Sequence, residues 1–149
     1  MNASHIAICG QDGDVRILET QFYNEIITLR AHRLGANCAV FDQDKLYTGG
    51  KDAHIIMWDW KSNRQIKSIP AHNYAVYDLA LFNGNKNLVS VSFDKSIKLW
   101  KTDSLSIIER VEFKEGGHRH VVNRISKLDD RLFLTVSDDK QIIHWKIID

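Results

Sequence analysis

The sequence has little cysteine and no long apolar segment. Cys9 and Cys38 are its two cysteines, and each lies in an apolar run, which predicts buried free thiols rather than a disulfide framework. No apolar run approaches the roughly 18 to 20 residues of a membrane helix. The N-terminal residues also lack the basic end and apolar block of a signal peptide. We therefore expect a soluble, cytoplasmic protein with no membrane partner.

The chain also lacks an excess of charge and any strong compositional bias. It carries 20 Lys and Arg against 19 Asp and Glu, and no run of like charges stands out. Neither nucleic-acid phosphate nor an anionic membrane is therefore expected to attract it. Hydrophobic residues at 44% and charged residues at 26% are ordinary globular proportions, which exclude a disordered tail or a collagen-like fibre. The length predicts a single domain over 1–149.

An internal repeat organises the sequence. Four ten-residue stretches align without gaps, and each has an Asp six residues before its end. The stretches are CGQDGDVRIL, GGKDAHIIMW, VSFDKSIKLW and VSDDKQIIHW, ending at Leu18, Trp58, Trp100 and Trp145. Their ends are 40, 42 and 45 residues apart, as expected for the blades of a β-propeller. We place the repeats at about 1–31, 32–71, 72–116 and 117–149.

The segments between turn signals are short, which predicts strands rather than helices. They are rich in Val, Ile, Leu, Phe and Tyr, and they alternate or run apolar over only about five to eight positions. The third repeat is a clear example of a four-stranded antiparallel meander. Its strands are predicted at 75–82, 88–92, 96–100 and 107–113. Pro70 is predicted to end an outer strand, where a missing amide donor costs least.

These motifs resemble those of the WD-repeat β-propellers, and the resemblance covers essentially the whole chain. An Ala-His or Gly-His pair precedes each full repeat, with the histidine at His32, His72 and His118. Trp58-Asp59 is a literal Trp-Asp pair. The run from 49 to 82 is similar to the C-terminal half of bacterial WD-repeat proteins of about seven blades. The resemblance implies an all-β fold, a partial WD-repeat propeller.

The resemblance also implies a buried hydrogen-bond chain in three repeats, formed by a loop His, a strand Ser or Thr, a turn Asp and a Trp. Each of these groups is costly to bury alone and tolerable when the four satisfy one another. Because the set recurs once per repeat, we interpret it as structural rather than as a hydrolase triad. The first repeat lacks it, since Leu18 replaces the Trp and Ile8 the hydroxyl. The predicted tetrads are His32, Thr48, Asp52, Trp58; His72, Ser90, Asp94, Trp100; and His118, Thr135, Asp139, Trp145.

The sequence predicts no catalytic residue, no metal site and no cofactor. His118 and His120 are spaced to share one face of a strand, but His118 belongs to a tetrad and no thiolate or carboxylate pattern accompanies the pair. No P-loop, GxGxxG or GxSxG motif occurs. Asp138 beside Asp139 is the one suggestive carboxylate pair, and the tetrad accounts for Asp139. A propeller hydrolase or lyase is therefore the less favoured hypothesis.

Counting strands predicts an incomplete propeller. The first and last repeats offer three strands each and the middle two offer four, which makes fourteen strands or about three and a half blades. Such an arc leaves strand edges unpaired. A complementary chain of fourteen strands would complete a seven-bladed ring, whereas two copies joined head to tail would give an imperfect eight-bladed ring. A fragment, a split gene product and a self-associating short protein all remain open.

The favoured function is a non-catalytic protein–protein interaction scaffold that acts as half of a larger propeller. The identifiable polar chemistry serves the structure, and what remains is a rigid surface of turns. The alternative is a purely structural half that completes the propeller of another chain. The resemblance implies binding at the turn residue before each repeated Asp and at the entry of each innermost strand, with aromatic residues as anchors. The candidates are Gln11, Lys51, Phe93, Asp138, Asn37, Tyr74, Tyr77, Asn123 and Arg124.

Overall fold

The computed structural model describes residues 4–148, which form fourteen antiparallel β-strands in four sheets. The sheets contain three, four, four and three strands in chain order, which confirms the predicted all-β fold and strand count. The chain divides into two compact units, one ending at Val76 and the other beginning at Tyr77. Within the described residues, no helix has the length and apolar character needed to cross a bilayer.

The first unit contains a three-stranded sheet followed by a four-stranded sheet. Each strand pairs with the next in an antiparallel meander. The strands are β1 (His5–Cys9), β2 (Asp14–Glu19), β3 (Glu25–Arg30), β4 (Ala36–Asp42), β5 (Lys45–Gly50), β6 (His54–Asp59) and β7 (Arg64–Pro70). Pro70 is the last residue of the edge strand β7, as predicted, where a missing amide donor costs least.

The core of the first unit lies between its two sheets. Side chains alternate across each strand, so every second residue of β2 points to one face. Val15 and Ile17 are fully buried there and pack in one cluster with Phe41, Leu46 and Trp58 of the four-stranded sheet. Burying apolar surface stabilises the fold by roughly 25 cal/mol per Å². This packing holds the first sheet against the second.

The second unit contains a four-stranded sheet followed by a three-stranded sheet. The strands are β8 (Val76–Phe82), β9 (Asn87–Ser92), β10 (Ile97–Lys101), β11 (Ile107–Val111), β12 (Val122–Lys127), β13 (Leu132–Ser137) and β14 (Ile142–Lys146). The boundary between the units falls at the start of β8. Phe82, Val91, Val122 and Phe133 form the core of this unit, and the rings of Phe82 and Phe133 lie 5.0 Å apart.

The strands of the third repeat differ from the predicted ones only at their ends. β8, β9 and β10 are displaced by one residue at one or both ends, whereas β11 ends at Val111 rather than at residue 113. The cause is a 3₁₀ turn over Phe113–Glu115, in which the Glu115 carboxylate accepts a hydrogen bond from the Glu112 N–H at 3.0 Å. Gly116, at φ 88°, ends the turn in the left-handed region that favours glycine.

The two cysteines are free, but only one is buried. Cys38 is 7% exposed, as predicted, whereas Cys9 is half-buried, so the prediction of a buried thiol was wrong at that position. Cys9 lies on β1, a strand without a single fully buried residue. Desolvation nevertheless raises the pKa of the Cys9 thiol to about 11, which keeps it protonated and unreactive at neutral pH.

Candidate functional site

The second repeat contains a continuous hydrogen-bond chain that links a strand to a turn. The indole N–H of Trp58 donates to Thr48 Oγ1 at 3.1 Å, and the same hydroxyl lies 3.0 Å from His32 Nε2. His32 Nδ1 lies 2.9 Å from Asp52 Oδ1. Gly50 makes room for the imidazole, because a Cβ at that position would clash with the His32 ring. The loop before β4, the strand β5 and the β5–β6 turn are thereby joined.

The partners in this chain determine the position of every proton. An indole nitrogen can only donate and a carboxylate can only accept, so His32 must carry its proton on Nδ1. The Thr48 hydroxyl then accepts from the indole and donates to His32 Nε2. Burial lowers the pKa of His32 in spite of the neighbouring Asp52 carboxylate, which favours the neutral ring that this chain requires.

The fourth repeat contains the same chain, with shorter contacts at the hydroxyl. Trp145 Nε1 donates to Thr135 Oγ1 at 2.7 Å, and that hydroxyl lies 2.8 Å from His118 Nε2. His118 Nδ1 lies 3.0 Å from Asp139 Oδ2. Burial opposes ionisation of Asp139, but hydrogen bonds from the Arg119 and Gln141 backbone N–H groups and from His118 outweigh it and lower its pKa to about 2. Asp139 is therefore an anion that holds the turn together.

In the third repeat, the hydroxyl, the indole and the turn Asp all lie in the second unit. Trp100 Nε1 donates to Ser90 Oγ at 2.9 Å, and Asp94 accepts from the Ser96 hydroxyl at 2.6 Å. His72 is buried and lies in the first unit, whereas Ser90, Asp94 and Trp100 lie in the second. The hydroxyl and indole pairing is thus the same in all three repeats.

The first repeat has a different arrangement at the corresponding turn. Asp12 is exposed, accepts from the Asp14 N–H at 3.1 Å, and forms an ion pair with Arg16 at 2.6 Å. Ile8, at the position of the strand hydroxyl, is 47% exposed. This turn is therefore held by a surface ion pair rather than by a buried chain.

The hydroxyl, imidazole and carboxylate groups are not arranged for nucleophilic catalysis. Thr48 and Thr135 have no exposed surface, so a substrate cannot reach either hydroxyl. Each hydroxyl also accepts an indole N–H, which occupies one of its two lone pairs. Among residues 4–148, no three His, Cys, Asp or Glu side chains are grouped so that they could hold a metal ion.

The structure brings six of the nine predicted partner-binding residues together in pairs. Lys51 Nζ donates to Gln11 Oε1 at 2.8 Å, and Asn123 Nδ2 donates to Asp138 Oδ1 at 2.6 Å. The third pair is aromatic. Tyr77 and Phe93 meet edge to face with ring centroids 6.2 Å apart, and Phe93 is 47% exposed. Within each polar pair, one side chain donates a hydrogen bond to the other. The aromatic pair instead leaves the apolar Phe93 side chain partly exposed.

The other three candidates have separate environments. Asn37 donates to the Val76 carbonyl at 2.8 Å, which ties β4 to the end of the first unit. Tyr74 is 61% exposed. Arg124 lies 4.0 Å from Asp78, whose pKa is raised by burial although the Ile125 and Leu79 N–H groups and Arg124 oppose the shift. Asn37 therefore has a structural contact, while Tyr74 is exposed at the surface.

A surface cavity in the second unit is not among the sequence predictions. It has a volume of about 490 Å³ and lies between the β9–β10 turn and the β11–β12 connector. The sequence signal for this cavity is the spacing of 45 residues between Trp100 and Trp145. This spacing exceeds the other two because the connector is longer. The lining residues are Asp94, Lys95, Glu112, Phe113, Lys114, His118 and Arg119.

Four short antiparallel sheets with a recurring Trp–Ser/Thr–His/Asp chain define a β-propeller repeat protein. The family model described as "WD domain, G-beta repeat" matches residues 23–59 and 63–101, about half of the chain. The chain therefore belongs to the WD-repeat family.

Individual WD-repeat relatives match most of this chain but only a small part of their own length. Nuclear distribution protein nudF of Aspergillus flavus is 31% identical over 126 residues, covering 80% of this chain and 27% of the relative. Autophagy-related protein 16 of Arabidopsis thaliana is 28% identical over 123 residues, covering 80% and 23%. The chain thus spans about a quarter of these relatives. The narrower likeness to bacterial seven-bladed proteins stays a prediction.

Proposed function

We propose that this chain is a non-catalytic protein–protein interaction scaffold. The observation that carries the proposal is the contrast between its buried and exposed groups. The recurring hydroxyl and imidazole groups are buried, and each hydroxyl accepts a hydrogen bond from an indole N–H, whereas Phe93 is 47% exposed on a turn beside one of these chains. An exposed aromatic side chain on a rigid turn is a typical anchor for a protein partner.

The family membership supports a binding role rather than an enzymatic one. The relatives are named for nuclear distribution and for autophagy, and neither name denotes a catalysed reaction. Rigid repeat architectures bind partners through the loops at the ends of their strands. The proposed binding residues therefore remain those at the turns and strand entries, with Phe93, Tyr74 and Tyr77 as the aromatic anchors.

We further propose that the chain acts as part of a larger propeller, completed by a second set of repeats. The last sheet supports this proposal, because its strand β14 is far more exposed than the corresponding strand β6. Ile142 on β14 is 69% exposed, whereas Ile55, Ile56, Met57 and Trp58 of β6 are all buried. A further strand and a neighbouring sheet would bury this surface.

Substitution of Phe93 tests the scaffold function. Baits carrying Phe93→Asp and Phe22→Asp are compared with the parent chain in affinity capture, with quantitative mass spectrometry of the bound proteins. Phe22 is a matched control, because it is 71% exposed and lies in the β2–β3 connector, outside the candidate set. We expect Phe93→Asp to reduce partner capture by about tenfold or more, since a charge at an anchor position must be desolvated, and Phe22→Asp to leave it unchanged.

The same capture experiment separates the scaffold from a purely structural half. The parent and the two variants are first shown to have the same circular dichroism spectrum. If all three baits then bind the same proteins in the same amounts, Phe93 is not an anchor. If the captured set is a single propeller subunit and is lost with Ile142→Lys instead, the chain serves only to complete another propeller. In that case the interaction function belongs to the partner.

A further inference from the structure

We propose that the cavity between the β9–β10 turn and the β11–β12 connector binds an acidic segment of a partner protein. This inference rests on the proposed scaffold function and adds a second binding site of stated chemistry to it. None of the predicted partner-binding residues lines the cavity. The partner contacts it with Asp or Glu side chains.

The cavity exists because one connector is longer than the others. The β11–β12 connector spans 112–121, whereas the β3–β4 and β7–β8 connectors span only 31–35 and 71–75. Its additional residues fold into the 3₁₀ turn Phe113–Glu115, and Phe113 is 51% exposed. The Arg119 guanidinium lies 4.4 Å from the centre of the Phe113 ring. This stack forms one wall of the cavity, and it holds the guanidinium in place without neutralising it.

The charges that line the cavity are not balanced. Lys95, Lys114 and Arg119 are all exposed cations, and none of them lies in an ion pair within the described structure. The two carboxylates are already engaged. Asp94 accepts from both the N–H and the hydroxyl of Ser96, and Glu112 forms an ion pair with Arg110. The cavity therefore has three cations against two carboxylates, and its lining carries a net positive charge.

An acidic polypeptide segment fits this cavity in charge and in size. The carboxylates of Asp and Glu are the protein side chains whose charge is opposite to that of these three cations. Arg119 can bind one such carboxylate with two hydrogen bonds. A volume of about 490 Å³ exceeds what one free carboxylate needs and lies in the range of sites that enclose several groups. The net charge of the whole chain is only +1, so the positive character belongs to this site and not to the surface in general.

The binding of a defined acidic probe tests the inference. The probe is a fluorescein-labelled peptide of consecutive glutamates flanked by glycines, titrated with the full chain at low salt and followed by fluorescence anisotropy. The same peptide with glutamines is the neutral reference. We expect the glutamate probe alone to bind, with an affinity that falls as the salt concentration rises.

A matched pair of lysines shows whether the cavity is responsible. Lys95 and Lys140 follow the repeated Asp in their turns, both are exposed, and their φ angles are 70° and 65°, but only Lys95 lines the cavity. We expect Lys95→Glu to weaken probe binding by about tenfold, a change of about 1.4 kcal/mol, and Lys140→Glu to have little effect. Lys114→Glu on the exposed connector provides a second variant if Lys95→Glu fails to fold.

Each result has a definite meaning. No binding of the glutamate probe, or equal weakening by Lys95→Glu and Lys140→Glu, overturns the inference. Tighter binding of a phosphoserine version of the peptide than of the glutamate version identifies a phosphorylated segment and overturns the assignment to an unmodified acidic one. Because Phe93 does not line the cavity, loss of binding of acidic segments there leaves the Phe93-dependent capture intact. The two proposals can therefore fail separately.

Discussion

At the scale of single residues, the strand hydroxyl is the central group of each buried hydrogen-bond chain. Thr135 Oγ1 lies 2.7 Å from Trp145 Nε1 and 2.8 Å from His118 Nε2 and has no exposed surface. Removing this hydroxyl leaves an indole N–H and an imidazole nitrogen buried without partners. The cost of unpaired buried polar groups exceeds the value of an ordinary hydrogen bond, because no water replaces the lost partner.

We therefore predict that Thr135→Val lowers the free energy of unfolding by about 1 to 3 kcal/mol. Valine keeps the shape of threonine, so the loss reports on the hydroxyl alone. Urea unfolding of the parent and the variant measures it. Thr28→Val is the control, because the Thr28 hydroxyl bonds the Glu25 carboxylate at an exposed position where water can take over. Equal midpoints for Thr135→Val and the parent would show that the chain is not a stabilising element.

At the scale of elements, the four sheets differ in how well their strands are protected. All six residues of β9 are buried, whereas β1 has none that is fully buried. The first sheet also lacks a buried hydrogen-bond chain, and its turn is held by the exposed Asp12–Arg16 ion pair. Exposed ion pairs contribute little to stability. Local opening is therefore easiest at the first sheet.

We predict that the amides of β1 exchange with deuterium at least about tenfold faster than those of β9. Hydrogen exchange followed by mass spectrometry on peptides covering His5–Cys9 and Asn87–Ser92 measures the difference. The peptide covering β5 in the first unit is the internal reference, since β5 is mostly buried and carries Thr48. Similar protection of β1 and β9 would mean that apolar packing alone stabilises the first sheet.

At the scale of the whole molecule, the last sheet has a surface that the proposed larger propeller would cover. β14 is an edge strand, and its residues alternate between exposed and half-buried without any being fully buried. An edge strand with unpaired amides and exposed isoleucine is a site for association with another chain.

We predict that the isolated chain associates at micromolar concentration and that Ile142→Lys shifts it toward the monomer. A lysine on this surface must be desolvated in any complex, and a charge on an edge strand opposes strand pairing. Light scattering coupled to size exclusion gives the mass. Ile66→Lys on the edge strand β7 of a four-stranded sheet is the control, since Ile66 is 41% exposed. A parent chain that elutes as a sharp monomer and unfolds cooperatively contradicts the proposal of a larger propeller.

The sequence by itself determined the class of fold, the number of strands and their order. These depend on local chemistry: the alternation of apolar residues, the turn residues and the spacing of the Asp and Trp positions. In the third repeat, the strand bounds were predicted to within one or two residues. The largest error, at Phe113, arose because an apolar residue after Val111 continues the strand pattern, while the Glu112 and Glu115 contact turns the chain.

Only the tertiary structure decided which surface groups are occupied and which are available. Gln11 accepts a hydrogen bond from Lys51, which is 40 residues away in the sequence, and Asn37 donates to the Val76 carbonyl, which is 39 residues away. No local sequence pattern predicts contacts between residues so far apart in the chain. The cavity is likewise lined by a turn and a connector from different parts of the second unit. Its positive character depends on Glu112 being neutralised by Arg110 while Arg119 stacks on Phe113. Composition cannot reveal this, because a count of charges does not say which of them neutralise one another.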